Sequence, residues 1–174
     1  MCQRALGHGR DLKAPLDNAF VESTVTPMKK SLLLLSLLLC TSVMSIAGGK
    51  AGWDDDYDKS LAKAKTESKL VLLDFTGSDW CGWCIKLNKE VFSEKTFKDY
   101  AKDNLVLVEV DFPQQKHQTK KLKEQNDKLS KEYGIEGYPT IVVLNAEGKK
   151  VGQLGYMEGG PDAFIAELNK LKAK

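Results

Sequence analysis

The chain is poor in cysteine and histidine and has no long apolar run. Only four of its 174 residues are cysteine and two are histidine, too few for a disulfide-stapled scaffold or a His-rich metal cage. No unbroken apolar stretch reaches the ~20 residues that a membrane-spanning helix needs. Charge of one sign is also lacking, with 26 Lys and Arg against 24 Asp and Glu. That balance argues against nucleic acid or an anionic membrane surface as a partner. Internal repeats, which would signal a solenoid, are absent as well.

What is present starts with a targeting signal. Met28 is followed by Lys29 and Lys30, by the apolar run Leu32–Leu39, and by Ser45-Ile46-Ala47 with small residues where a signal peptidase inspects. Residues 28–47 are therefore read as a signal peptide cleaved after Ala47, and residues 1–27 as a non-native or unstructured leader. An uncleaved anchor is the alternative. Residues 31–47, however, are only 17 long and carry four serines and a threonine. Lipidation at Cys40 fits poorly, since bulky Leu39 precedes it. The expected product, residues 48–174, is an exported, periplasmic or otherwise extracytoplasmic domain. It is expected to be a monomer without stable membrane insertion.

Within that domain the patterning predicts the order αβαβαββα, an α/β fold with a central mixed sheet and helices on both faces. Helices are expected at 53–65, from Cys81 through Lys89 with a second stretch at 94–104 in the same place of that order, at 114–133 and from Gly159 onward. The run Leu70–Phe75 reads as a strand buried on both sides, interrupted by Asp74 alone. Further strands are expected at 105–110, 141–144 and 150–156, the last two as a hairpin. The charges of 114–133 read as a solvated helix face.

Removal of the leader takes Cys2 and Cys40 with it, so every remaining cysteine sits in Trp80-Cys81-Gly82-Trp83-Cys84. A C-x-x-C that opens a helix places its first sulfur among unpaired N–H groups and at the positive end of the helix dipole, which favour a thiolate. Cys81 is thus the expected nucleophile. Cys84, one turn later on the same face, is the expected resolving thiol. As a staple the pair would close a loop worth only about 2 kcal/mol. A zinc site lacks ligands, since His117 is the lone histidine of the domain, and haem attachment lacks a histidine at Ile85. No metal or cofactor is expected.

In Leu72-Leu73-Asp74-Phe75, Trp80-Cys81-Gly82-Trp83-Cys84, Gly134-Ile135-Glu136-Gly137-Tyr138-Pro139-Thr140 and the closing hairpin, the chain resembles the thioredoxin superfamily over nearly the whole domain. It is most similar to exported proteins related to the C-terminal domain of the membrane thiol:disulfide interchange reductase, judging by Lys86, Glu90, Val91 and Phe92 after the motif. The resemblance implies a thioredoxin fold and a thiol:disulfide oxidoreductase. It also implies a cis Pro139 beside the cysteines, and a Tyr138-Pro139-Thr140 segment free to pair with substrate.

Asp74 would be the buried carboxylate that relays the proton of Cys84. Two departures bear on this: the loop between Asp74 and Cys81 is one residue longer than in thioredoxin, and the usual partner lysine is replaced by Leu107. Asp79 is an alternative relay. The stretch between Asp111 and Pro139 is longer by about a dozen residues, and Trp80 and Trp83 flank the nucleophile as docking surface. Gly82-Trp83 between the cysteines offers no imidazolium to a thiolate, which favours a reductant over an oxidase or isomerase. Expected partners are oxidised exported proteins and a membrane electron donor. The rival from another class is a non-catalytic binding module of the same fold.

Overall fold

The structure, a computed structural model, describes residues 50–173. The leader and signal-peptide readings lie outside the described residues. Helix α1 (Tyr57–Glu67) leads to strand β1 (Leu70–Thr76), then α2 (Gly82–Leu87), which runs on through a π-helical turn (Asn88–Phe92). Next come α3 (Lys95–Asn104), β2 (Leu105–Asp111), α4 (Lys120–Tyr133), β3 (Thr140–Leu144), β4 (Lys150–Leu154) and α5 (Gly160–Lys172). The sheet order is β2-β1-β3-β4, with β1 and β2 parallel and the other neighbours antiparallel. Among the described residues no helix is long and apolar enough to cross a membrane.

β1 is central and all seven of its residues are buried, which is why its sequence is apolar without alternation. Side-chain parity divides the core. Val71, Leu73 and Phe75 face α1 and α4, where Ala64 and Leu129 cover them. Leu70 and Leu72 face the other layer, built from α2, α3 and α5 around Phe92, Phe97 and Phe164. Those three rings pack with centroids 5.0, 5.6 and 6.1 Å apart. By the same parity Asp74 points into this second layer, as do Glu109 and Asp111 of β2.

Two helix starts differ from expectation for a local reason. Asp56 caps α1 by accepting the Lys59 N–H at 3.0 Å, while Asp54 leaves the helix and bridges Val108 on the sheet edge. The predicted acidic first turn is therefore mostly a strap, residues 50–56, lying along β2. Likewise α4 begins at Lys120 and not at Gln114, because Thr119 caps it through the Leu122 N–H at 3.2 Å. Gly134, in the left-handed region at φ 64°, ends α4, a conformation glycine adopts without a Cβ penalty.

Candidate active site

Cys81 is the N-cap of α2, set there by a tight turn in which its N–H donates to the Gly77 carbonyl at 2.8 Å. Glycine is required at position 77, since a Cβ there would lie inside the Trp80 indole. Cys81 and Cys84 are joined as a disulfide, with Cα atoms 5.3 Å apart. The Cys84 N–H donates to Cys81 Sγ at 3.2 Å. Both cysteines are buried, yet the residues around them are open, with Trp83 58%, Ile85 50% and Trp80 41% exposed.

The Tyr138–Pro139 peptide bond is cis. Tyr138 stands edge-on to Trp80, with centroids 5.8 Å apart, and Thr140 opens β3 while donating its hydroxyl to the Gly137 carbonyl at 2.7 Å. Trp80 is both packed and exposed: its indole N–H donates to the Phe112 carbonyl at 2.8 Å. Trp83 packs against Tyr156 at 5.1 Å, with the Lys86 ammonium over both rings. The segment before the cysteines thus meets the segment after β2 on one surface.

Behind Cys84 lies an open cleft of about 650 Å³, lined among others by Asp74, Glu109, Asp111, Asn88 and Lys50. Asp74 is 3% exposed, and among the described residues its Oδ1 has no hydrogen-bond partner. Burial pushes its carboxyl up to about 6, against the opposing pull of the Lys50 ammonium 3.4 Å away. Burial also raises Glu109 and lowers Lys50. A carboxyl poised near neutrality can accept or release a proton at working pH. The described residues hold no His, Cys, Asp and Glu cluster suited to a metal ion.

Residues 57–172 match the model of the thioredoxin-like domain family. The chain is 37% identical to the disulfide bond reductase DsbH of Chlamydia pneumoniae over 123 residues, covering 71% of this chain and 74% of that one. A solved structure of a DsbH oxidoreductase superimposes with a TM-score of 0.66 at 35% identity, over 76% of this chain and 91% of the other. The thiol:disulfide interchange protein DsbD of Klebsiella pneumoniae is 32% identical over 121 residues, which is 68% of this chain and 18% of that protein. The chain belongs to the thioredoxin-like family. With Cys81 and Cys84 joined in that fold, it is a thiol:disulfide oxidoreductase.

Two features of this thioredoxin-like domain escape sequence reasoning. Asp79, the alternative relay, does not line the cleft. Its carboxylate accepts the N–H groups of Gln114, Gln115 and Lys116 at 3.0, 2.8 and 3.1 Å, which hold it below the usual carboxylate range. Leu107, read as standing in the place of a partner lysine, is paired with Leu72 and not with Asp74, and the cation beside Asp74 is Lys50, whose ammonium lies over the Trp53 ring at 3.9 Å and the Phe92 ring at 4.5 Å. Lys50 stands 24 residues before Asp74, and no local pattern announces a lysine arriving from that distance.

Proposed function

We propose that this chain is a disulfide reductase acting outside the cytoplasm, with residues 28–47 removed as a signal peptide and residues 48–174 forming the working domain. Cys81 is the attacking thiolate. The observation that carries this assignment is the position of its sulfur at the N-cap of α2, accepting the Cys84 N–H. That position stabilises negative charge on Cys81, and Cys84 has no such setting.

In the forward reaction the Cys81 thiolate attacks one sulfur of a substrate disulfide. The other substrate sulfur leaves as a thiolate and takes up a proton. Cys84 then loses its proton, attacks Cys81 Sγ and releases the second substrate thiol. The protein ends as the Cys81–Cys84 disulfide, oxidised by two electrons, and the substrate as a dithiol. Tyr138, Pro139 and Thr140 offer the backbone beside which an extended substrate segment lies, and Trp80 and Trp83 flank the attacked sulfur. Asp74 takes the Cys84 proton. The reductant direction is supported by the Gly82-Trp83 dipeptide and by the name of the Chlamydia relative, a disulfide bond reductase. Oxidised exported proteins are the substrates, and a membrane thiol carrier recharges the pair.

Insulin reduction by dithiothreitol tests the reading. The protein accelerates precipitation of the B chain, and Cys81→Ser abolishes the acceleration. Cys84→Ala leaves a trapped mixed disulfide through Cys81. Acceleration that survives Cys81→Ser, or none in the unaltered chain, assigns the protein instead to non-catalytic binding.

A further inference from the structure

Asp74 does not stand alone in the cleft. In the parallel pairing of β1 with β2 its Cα partner is Glu109, and Thr76 is paired with Asp111. Neighbouring strands lie about 4.8 Å apart and paired residues share a face, so Glu109 and Asp74 project side by side into the same layer. Both line the same cleft as Cys84. Asp111 is otherwise engaged, its two oxygens accepting the Ser78 N–H at 2.8 Å and the Ser78 hydroxyl at 2.6 Å.

From the strap comes Lys50, whose side chain is about one-fifth exposed and whose Nζ reaches Asp74 Oδ2 at 3.4 Å. The π-helical turn adds Asn88, whose Oδ1 is buried without a partner among the described residues. Lys116 and His117 line the cleft from the segment after β2, and Asp55 from the strap. Lys116 is itself held by Ser78, donating to its hydroxyl oxygen at 2.9 Å. Lys50 therefore faces two adjacent carboxylates, Asp74 and Glu109, at the back of the resolving cysteine, while the charge of Lys116 bears on Glu109.

We propose that Lys50 and Glu109 are positioning residues that act on Asp74 in opposite senses, and together set the pH at which this carboxylate takes the proton of Cys84. The inference rests on the reading of Asp74 as the acceptor of that proton. A cation at 3.4 Å favours ionised Asp74, and an anion on the next strand opposes it. Ionised Asp74 accepts the Cys84 proton, Cys84 becomes a thiolate and attacks Cys81 Sγ, and the neutral carboxyl returns the proton to water in the cleft. The cleft is roomy enough for water, and Asp74 Oδ1 and Asn88 Oδ1 are the polar groups left to meet it. The cation that serves this site comes from the strap before α1, so the chemistry depends on a segment outside the sheet.

The test follows the Asp74 carboxyl by carbon NMR across pH in the oxidised full chain, together with the pH profile of insulin reduction. Expected are a midpoint at about 6 in the unaltered protein, a rise of about one pH unit in Lys50→Met, and a fall of similar size in Glu109→Gln. Lys50→Arg restores the starting value. The acidic limb of the activity profile moves with the titration in each variant. Where Lys50→Met fails to fold, Glu109→Gln decides alone: a downward shift supports the proposal, and none or an upward shift overturns it. Titrations that move as expected beside an unmoved activity profile overturn the proton transfer from Cys84. Loss of Cys81-dependent activity in the unaltered chain would instead sink the reductase reading, a separate result.

Discussion

The Trp80 indole N–H donates to the carbonyl oxygen of Phe112 at 2.8 Å, and this contact is one of a set that ties the loop before the cysteines to the segment after β2. Ser78 binds Asp111, Lys116 binds Ser78, and Asp79 gathers three amides of residues 114–116. The segment after β2, from Phe112 to Lys116, thereby forms one wall beside the loop that carries the cysteines.

Asp79→Ala should release that wall. The amides of Gln114, Gln115 and Lys116 lose their acceptor, and hydrogen exchange should show them unprotected while the amides of β1 keep their protection. Asp79 is held below the usual carboxylate range in the folded chain. Its contribution is therefore present above the ordinary carboxylate pKa and lost as pH falls through the depressed one. In the unaltered protein the same amides should open on acidification. Unchanged exchange in Asp79→Ala would mean the wall stands without it.

Asp74→Asn should stabilise the oxidised protein at neutral pH. The folded carboxyl, at about 6 against an ordinary 3.8, binds more protons than the unfolded chain between those values. Stability of the unaltered protein accordingly falls as pH rises through that window and stays lower above it. Removal of the charge is worth about 3 kcal/mol at pH 7, from a shift of about 2 units that already contains the opposing pull of Lys50. Denaturant unfolding at pH 4 and pH 7 measures it, and an equal effect at the two values would contradict burial of the charge as the cause.

Phe97→Ala should cost about 3–5 kcal/mol, the usual penalty for emptying a buried aromatic site. Phe97 is fully buried between Phe92 and Phe164, and the rigid helices around it cannot collapse into the space. A midpoint shift in urea at unchanged slope is the expected signature.

Trp83→Ala should separate docking from thiol chemistry. Trp83 is 58% exposed and leans on Tyr156 and Lys86, so its loss removes contact area for a polypeptide but leaves Cys81 at its helix start. KM for insulin should rise several-fold, and the rate with a small linear disulfide such as oxidised glutathione should hold. A parallel fall in both would place Trp83 in the chemistry itself.

Much of the fold is legible in the sequence because its cause is local. The unbroken apolar run of β1 reports burial on both faces. Gly134 marks the end of α4, and Cys81 at the boundary between a loop and a helical stretch marks the start of α2. The strap reads as a helical turn because three consecutive aspartates look alike in sequence, and only contact with the β2 edge separates Asp54 from the capping Asp56. The start of α4 is hidden because the polar residues before Thr119 suit a helix equally well, and it is Asp79 that draws their amides elsewhere.

By itself, then, the sequence determined the element order, the cysteine pair and the lone carboxylate of the apolar strand β1, since periodicity, turn chemistry and spacing act over a few residues. Only the tertiary structure decided which charges surround that carboxylate. Lys50 lies 24 residues before Asp74 and Glu109 is its neighbour across a strand pairing. The electrostatics of a buried group depend on distances through space, which chain spacing does not record.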